Sequence, residues 1–201
     1  HGNGLNHKNF VNSNNSKNLS IIKFLFVGRL LKDKGLIEFL ESSKEIIKAY
    51  QGQILIGVAG SSDKNNPASL NQENLKKEYD FEEINFFGDL SQSEVMDLYA
   101  EYNVFVLPSY REGLPRSAIE ASLSGMPLIL SDVPGCRECL EVGKNGFLVR
   151  DRSVKEILEK MKYFVQNKEK INQMGTYSRK IAIKKFSGDK IFNEYLAIIK
   201  E

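Results

Sequence analysis

Continuous apolar runs alternate along the chain with segments in which apolar residues recur at helical spacing. The run IIKFLFVG at 21–28 is almost entirely apolar, as in a strand buried on both faces of a parallel sheet. The next segment, GLIEFLESSKEIIKAY at 35–50, repeats its apolar residues every three or four positions, which predicts an amphipathic helix. The chain is therefore predicted to begin its fold with a buried strand and a helix that packs on it.

The same alternation continues toward the C-terminus. Further strands are predicted at 54–60, 84–88, 104–109, 127–131 and 146–149. Further helices are predicted at 68–79, 91–102, 116–124, 136–142 and 154–199. Two helices begin at Ser-x-x-Glu capping boxes, whose first residues are Ser91 and Ser153. This order indicates an α/β fold: a doubly wound, Rossmann-like parallel sheet with C-terminal helices, which binds ligands at the carboxyl ends of its strands.

Residues 1–20 differ from the rest of the chain because they are rich in Asn and show almost no apolar periodicity. They are predicted to be a linker or an exposed extension, and residues 21–201 to be one domain with a helical tail. The chain starts at His1 rather than at Met, so we expect it to be a piece of a longer protein.

The charge balance is nearly even, with 28 basic and 26 acidic residues and a net charge of +2. This balance gives no reason to expect a nucleic acid partner. No apolar run approaches the roughly 18–20 residues of a membrane span, and no signal-peptide pattern starts the chain. We therefore expect a soluble, cytoplasmic protein.

Cys136 and Cys139 form a C-x-x-C motif. A zinc site would need two more ligands, and both His of the chain lie far away, within 1–20. A redox pair is the second alternative, but Glu138 and Glu141 surround the motif with negative charge. We expect two reduced, structural thiols and no metal.

The turn after the first strand carries neither G-x-x-x-x-G-K-[ST] nor G-x-G-x-x-G, and reads VGRLLKDKG instead. Arg29 stands at the carboxyl end of the strand, and Lys34 stands just before the next helix. Two cations beside a helix N-terminus suit a diphosphate. The alternative is that both are ordinary solvated loop residues.

The stretch REGLPRSAIE at 111–120 joins the fourth strand to a helix. Gly113 permits close backbone approach, and Pro115 suits the first helical position, so the helix N–H groups would face an anion. Glu120 lies about five residues into the helix, ~7 Å along its axis, which is comparable with the step from a phosphate to its ribose. Glu120 would then accept the ribose hydroxyls, while Glu112 would face the group attached to the diphosphate.

A simpler interpretation of both acids is open. Ser117 and Glu120 also fit a capping box, in which Glu120 would only stabilise the start of the helix. Glu112 would then be an ordinary surface acid.

Three segments carry a resemblance to a known family: VGRLLKDKG, NFFGDLSQSEVMDLYAEYNVFVLPSYREGLPRSAIEASLSGMPLILSDVPGCRE and NGFLV. Together they resemble the donor-binding half of the family 4 retaining glycosyltransferases of the GT-B fold, over about 21–200. The start, HGNGLN, resembles the linker between the two GT-B domains. One departure is EASL, where the family usually has EAMA after the second Glu.

The resemblance assigns roles to individual residues. The catalytic set, which stabilises the departing diphosphate and faces the transferred sugar, is Arg29, Lys34 and Glu112. The donor-binding set, which contacts the diphosphate, sugar, ribose and base, is Arg29, Lys34, Gly60, Phe87, Gly113, Leu114 and Glu120. In the last set Gly113 and Leu114 act through their backbone amides, and Gly60 and the FFG segment around Phe87 hold the base mostly by backbone.

The resemblance also implies the substrates of the full-length enzyme. The donor would be a UDP-hexose or UDP-N-acetylhexosamine, and the acceptor a bacterial envelope glycan or a lipid-linked glycan held by a missing N-terminal domain. Peripheral association of the full enzyme with the inner face of the membrane would fit such an acceptor. No Asp-x-Asp occurs, so neither a metal nor another cofactor is expected.

Two alternatives from other classes stay open. One is a non-catalytic module that binds a sugar nucleotide, and the other is a nucleotide-sugar epimerase on the same fold. A phosphorylase of similar fold would need a Lys for pyridoxal phosphate, and the sequence singles out none.

Overall fold

The computed structural model describes residue 10 and residues 19–63 and 65–186. Within them the chain forms a six-stranded sheet in which all neighbouring strands are parallel, in the order β3-β2-β1-β4-β5-β6. The strands are β1 Ile22–Val27, β2 Ile54–Ala59, β3 Ile84–Gly88, β4 Val104–Leu107, β5 Leu128–Ser131 and β6 Gly146–Val149. The prediction of a doubly wound parallel sheet is confirmed.

Helices connect and cover the strands. They are α1 Leu36–Ala49, α2 Gln72–Glu78, α3 Gln92–Glu101, α4 Arg116–Leu123, α5 Pro134–Cys139, α6 Val154–Gln166 and α7 Lys168–Phe186, with a 3-10 turn at Lys32–Lys34. The capping box at Ser91 forms completely. At Ser153 only the serine half forms, because the Glu156 carboxylate accepts from the backbone N–H of Arg150 instead.

The predicted continuous helix at 154–199 is wrong at Asn167, where α6 ends and α7 begins. The Asn167 side chain donates to the carbonyl of Tyr163 at 2.8 Å, and its backbone N–H reaches the same oxygen at 2.9 Å. The backbone bond is the last of the α6 ladder, and the side-chain bond competes with continuation of the ladder at a residue whose backbone is not helical. The predicted helix beyond Phe186 lies outside the described residues, as does the linker at 1–20 apart from residues 10, 19 and 20.

The core explains why these runs become central strands. All residues of β4 and β5 are buried, and Phe24, Phe26 and Phe105 have no exposed surface. Fully burying one such side chain stabilises the fold by about 1.5–3 kcal/mol. Helix α1 packs against α6, and α4 against α7, so the sheet is covered by helices rather than by water.

Phe10 is a described point of the predicted extension, and it packs against the domain. Its side chain is buried, and Arg179 of α7 donates to its carbonyl at 2.9 Å. The same guanidinium donates to the carbonyl of Leu123, the last residue of α4.

The strand order reverses between β1 and β4, which pair through Phe24 with Val104 and Leu25 with Phe105. The chain leaves these two strands in opposite directions, and this opens a crevice at their carboxyl ends. The loops around the crevice touch closely. A Cβ on Gly35 would lie 2.1 Å from the Pro108 carbonyl oxygen, and one on Gly60 would lie 1.9 Å from that of Gly28.

Cys136 and Cys139 are buried in α5 and form no disulfide. Burial is the main cause that raises the pKa of each thiol to about 12. At neutral pH neither is a thiolate, which is the form that attacks disulfides and binds metals. This environment agrees with a structural role for the pair.

Two kinds of site are absent from the residues that the structure describes, 10, 19–63 and 65–186. No cluster of three or more His, Cys, Asp or Glu side chains there is arranged to hold a metal ion. No helix there combines the length and apolarity needed to cross a membrane.

Candidate functional site: a crevice at the carboxyl edge of the sheet

Two adjacent cavities follow the carboxyl ends of the strands. The first, about 210 Å³, is lined by Val27, Gly28, Arg29, Lys34, Leu107, Glu112, Leu114, Pro115, Arg116 and Ser117. The second, also about 210 Å³, is lined by Val27, Gly28, Arg29, Ala59, Gly60, Ser61, Asp89, Leu90 and Val95. The end of β1 belongs to both, so together they form one elongated crevice at the point where the strand order reverses.

The first cavity holds an ion pair between Lys34 and Glu112. The Lys34 ammonium lies 2.6 Å from the Glu112 carboxylate, and the side chains are only 21% and 11% exposed. The backbone N–H of Tyr110 donates to the Asp33 carbonyl at 2.8 Å, which holds the two loops together. The sequence indicated both residues but did not indicate that they pair. An ammonium has three N–H donors, so Lys34 can hold Glu112 and an anion together.

Arg29 is the more accessible cation of the crevice. Its side chain is 62% exposed, and its guanidinium lies 3.6 Å from the Asp63 carboxylate. An exposed pair at this distance contributes little stability. Arg29 is therefore able to turn toward an anion in either cavity.

The N-terminus of α4 opens into the first cavity. Pro115 is the N-cap residue of α4 and not its first helical residue, as was predicted. Its carbonyl accepts the first intrahelical hydrogen bonds, from the N–H groups of Ala118 and Ile119. The N–H groups of Arg116 and Ser117 come before these bonds and have no acceptor among the residues that the structure describes. They carry partial positive charge at a cavity wall, which favours an anion.

The turn before α4 has an open side and a packed side. Nothing lies within 4 Å of the position that a Cβ on Gly113 would take, and the neighbouring Leu114 lines the cavity. On the packed side, a Cβ on Gly135 of α5 would lie 2.1 Å from the Gly113 carbonyl oxygen. Helix α5 thus holds the turn from behind and leaves its other side accessible.

Glu120 is held at its carboxylate and does not cap the helix. Arg116 donates from Nε to Oε1 at 2.9 Å, and the Tyr99 hydroxyl donates to Oε2 at 3.3 Å. No side chain caps α4, and Ser117 lies inside the helix. The capping-box interpretation of Ser117 and Glu120 is therefore wrong: the helix begins before the box could form.

Of the two residues predicted to hold the base, one lines a cavity of the crevice and the other does not. Gly60 lines the second cavity, whereas the ring of Phe87 packs edge-on against Tyr102, with centroids 6.3 Å apart, and lines neither cavity. The FFG segment that contains Phe87 is followed directly by Asp89 and Leu90, and both of these residues line the second cavity.

Sequence reasoning missed several residues of the crevice. They are Ser61, Asp89, Leu90, Val95, Tyr99 and Arg116. The position of Asp89 directly after the β3 strand was a signal that could have found it. Tyr99 left no such signal, because its place in the apolar pattern of α3 predicts only burial.

A larger cavity, about 280 Å³, lies elsewhere, between α6, α7 and the loop before β6. Its two lysines are already engaged: Lys144 with Glu141 at 3.1 Å, and Lys170 with Gln173 at 3.1 Å. It lies away from the carboxyl ends of the strands, so its size alone does not make it the ligand site.

The crevice at the reversal of the strand order, its exposed cation and the open helix N-terminus are typical of α/β domains that bind ligands at the carboxyl edge of the sheet. Comparison with known proteins narrows this class. The sequence profile of the family described as "Glycosyl transferases group 1" matches residues 8–181, and the chain belongs to that family.

Two curated relatives are close in sequence. The chain is 30% identical over 215 residues to the capsular polysaccharide biosynthesis glycosyltransferase CapM of Staphylococcus aureus, a match that covers 99% of this chain and 54% of CapM. It is 30% identical over 156 residues to the N,N'-diacetylbacillosaminyl-diphospho-undecaprenol alpha-1,3-N-acetylgalactosaminyltransferase of Campylobacter jejuni, with 76% of this chain and 39% of that enzyme covered. The chain thus spans about half the length, or less, of these relatives.

A solved structure with the same fold is the pneumococcal O-GlcNAc transferase GtfA in complex with UDP and GlcNAc. Its TM-score is 0.77 at 23% identity, over 95% of this chain and 37% of GtfA. At this identity the match shows the fold, which is confirmed as that of a GT-B glycosyltransferase domain.

Proposed function

We propose that this chain is the donor-binding domain of a family 4 glycosyltransferase that retains anomeric configuration. The full-length enzyme would transfer a hexose or N-acetylhexosamine from a UDP-sugar to a glycan or lipid-linked acceptor of the bacterial envelope. The observation that carries the proposal is the crevice itself, where Arg29, Lys34, Glu112 and the α4 N-terminus line one cavity. Glu120 lines neither cavity but bonds to Arg116, which does.

The diphosphate would bind in the first cavity. Arg29 and Lys34 would contribute full charges, and the N–H groups of Arg116 and Ser117 partial ones. Departure of UDP concentrates negative charge on this diphosphate, so groups fixed here stabilise the transition state more than the ground state. Because these charges belong to the protein, we propose that transfer needs no divalent metal.

The nucleoside would extend from the diphosphate into the second cavity. Val95 lines that cavity, and Tyr99 stands one turn further along the same face of α3. Glu120 bonds to Tyr99 and to Arg116, a residue of the first cavity, and this supports the proposal that a ribose would contact its carboxylate. Glu112, in the first cavity, would face the sugar.

The relatives support the substrate class. CapM is named for capsular polysaccharide biosynthesis, and the Campylobacter enzyme for an alpha-linked transfer to a diphospho-undecaprenol glycan. GtfA was solved with UDP and GlcNAc. A lipid-linked acceptor would bring the full-length enzyme to the inner face of a membrane.

Calorimetric titration of the 201-residue chain with UDP, GDP and ADP tests the proposal. UDP is expected to bind and the other two to bind at least about tenfold more weakly, a difference of about 1.4 kcal/mol. By itself the 201-residue chain should transfer no sugar, because we propose that the acceptor binds in a part of the full-length enzyme that it does not span. No binding of any of the three nucleotides would overturn the proposal, and an acceptor-independent conversion of a UDP-sugar to its epimer would favour the epimerase.

A further inference from the structure

The carboxylate of Glu120 is held by one donor on each oxygen. Arg116 donates to Oε1 at 2.9 Å and Tyr99 to Oε2 at 3.3 Å. The two donors differ in environment: the Arg116 side chain is 68% exposed, whereas Tyr99 is completely buried. Water can replace the Arg116 contact but cannot reach the Tyr99 ring.

Tyr99 is fixed by packing. Its ring meets the Phe105 ring of β4 at an angle of 63°, with centroids 6.2 Å apart. Its single hydroxyl proton is shared between the Glu120 carboxylate and the carbonyl of Ser117 in α4, each of which lies 3.3 Å from the hydroxyl oxygen. Burial first, and then the charge of Glu120, raise the pKa of Tyr99 well above its usual value. The phenol therefore keeps its proton at physiological pH and acts as a donor.

The number of lone pairs matches a ribose. A carboxylate can accept about four hydrogen bonds, two on each oxygen. Tyr99 and Arg116 use one on each oxygen, which leaves one on each for the two neighbouring hydroxyls of a ribose. A diol bound in this way needs the plane of the carboxylate to be fixed, because both oxygens must face it.

We propose that Tyr99 is a positioning residue for ribose: it orients the Glu120 carboxylate so that Glu120 accepts both the 2′- and the 3′-hydroxyl. The inference rests on the proposed function, since it specifies how that site recognises its nucleotide. Tyr99 does not touch the ligand. Its contribution should disappear when either the ribose hydroxyls or the Glu120 carboxylate is removed.

The test measures the affinities of UDP and of 2′,3′-dideoxyuridine diphosphate for the wild-type chain and for Tyr99→Phe. The variant keeps the ring that packs on Phe105 and loses only the hydroxyl. UDP affinity should fall about three- to fivefold, and no further than in Glu120→Gln, because Tyr99 acts only through that carboxylate, while the dideoxy analogue should change by less than about twofold.

Two controls isolate the effect. Tyr102→Phe removes a hydroxyl from another buried tyrosine directly after α3, whose ring contacts Phe87 rather than Glu120, and it should leave both affinities unchanged. In a Glu120→Gln background, Tyr99→Phe should add less than about twofold, because the two residues act on the same hydroxyls.

The outcomes separate this inference from the proposed function. If the wild-type chain binds UDP and the dideoxy analogue equally, the ribose role of Glu120 fails, and this inference fails with it. If the wild-type chain discriminates but Tyr99→Phe weakens both ligands equally or neither, only the Tyr99 inference is overturned. Should Tyr99→Phe not fold, a crystal structure of the wild-type UDP complex decides: the Tyr99–Glu120 hydrogen bond must persist while the ribose contacts the same carboxylate.

Discussion

The loop before α4 and the body of α4 each carry an acid that we assign to the donor, and the surrounding residues hold the two acids differently. Glu112 in the loop pairs with Lys34, a residue that we assign to the donor. Glu120 in the helix bonds to Arg116 and to Tyr99 of the core. A diphosphate bound by Lys34 would therefore share that ammonium with Glu112, whereas a ribose could bind at Glu120 without moving Tyr99.

Two acids that lie eight residues apart are thus expected to be coupled to the ligand in different ways. Glu112 and the proposed diphosphate both have Lys34 as a partner. Removal of the Glu112 charge should therefore strengthen UDP binding and lower the rate of transfer. Glu120 takes its bonds from the Arg116 side chain and from Tyr99, whereas the diphosphate would meet only the backbone N–H of Arg116, so the main effect of Glu120 should be on the nucleoside. The following predictions test this difference.

The largest effect is expected for Glu112→Gln in the full-length enzyme. Its kcat should fall about 10²-fold or more, the scale of removing one preorganised electrostatic group beside the reacting sugar. The affinity for UDP should rise several-fold rather than stay constant, because Lys34 is then released entirely to the diphosphate. Steady-state rates and calorimetry measure the two quantities. A variant with normal kcat, or with weaker UDP binding, contradicts this account of Glu112.

Lys34→Ala and Arg29→Ala should each weaken UDP binding about tenfold, since each removes a charge-assisted contact with the diphosphate. Uridine, which has no phosphates, should be affected much less. Arg111→Ala is the matched control, because this exposed arginine lies 3.7 Å from Asp33 and lines neither cavity of the crevice. Equal losses for UDP and uridine would mean that the two cations act through folding.

Glu120→Gln should weaken UDP and uridine alike, by about fivefold, because an amide accepts only one of the two hydroxyls well. Its melting temperature should change little, since Glu120 caps no helix, its Arg116 partner is 68% exposed, and the Gln side chain still accepts a hydrogen bond from Tyr99. Calorimetry and thermal denaturation measure both effects. Unchanged affinity for both ligands would remove Glu120 from the site.

The smallest effect is expected from metal removal. A chelator should change the rate of the full-length enzyme by less than about twofold, because Arg29, Lys34 and the α4 N-terminus carry the positive charge. The measurement is the initial rate with and without EDTA. A loss that manganese restores would show that the protein-borne charges are not sufficient.

Much of the fold could be predicted because its signals are local. The apolar runs located all six strands, and the Ser91 capping box located the start of α3. The predicted helix boundaries were wrong where a side chain bonds to the backbone, as at Asn167, whose side-chain amide donates to the Tyr163 carbonyl at the end of α6. The capping-box interpretation of Ser117 and Glu120 was wrong because α4 already begins at Arg116. A pattern of two residues does not determine where a helix starts.

Candidate residues of the site were indicated by sequence where chemistry and position coincide. Arg29, Lys34, Glu112 and Leu114 do meet in one cavity. Their partners were not predictable, because pairing depends on how loops distant in sequence approach one another. The Lys34–Glu112 pair joins loops 78 residues apart.

The sequence by itself determined the alternation of strands and helices, the buried character of each strand and the family of the chain, because these depend on local periodicity and on motifs within short segments. The tertiary structure alone decided which charges are paired and which donor orients each acid. The physical reason is that hydrogen bonds and ion pairs depend on distances of a few ångströms between side chains. Those distances exist only after β1 and β4 have come together and α3 has packed beside α4.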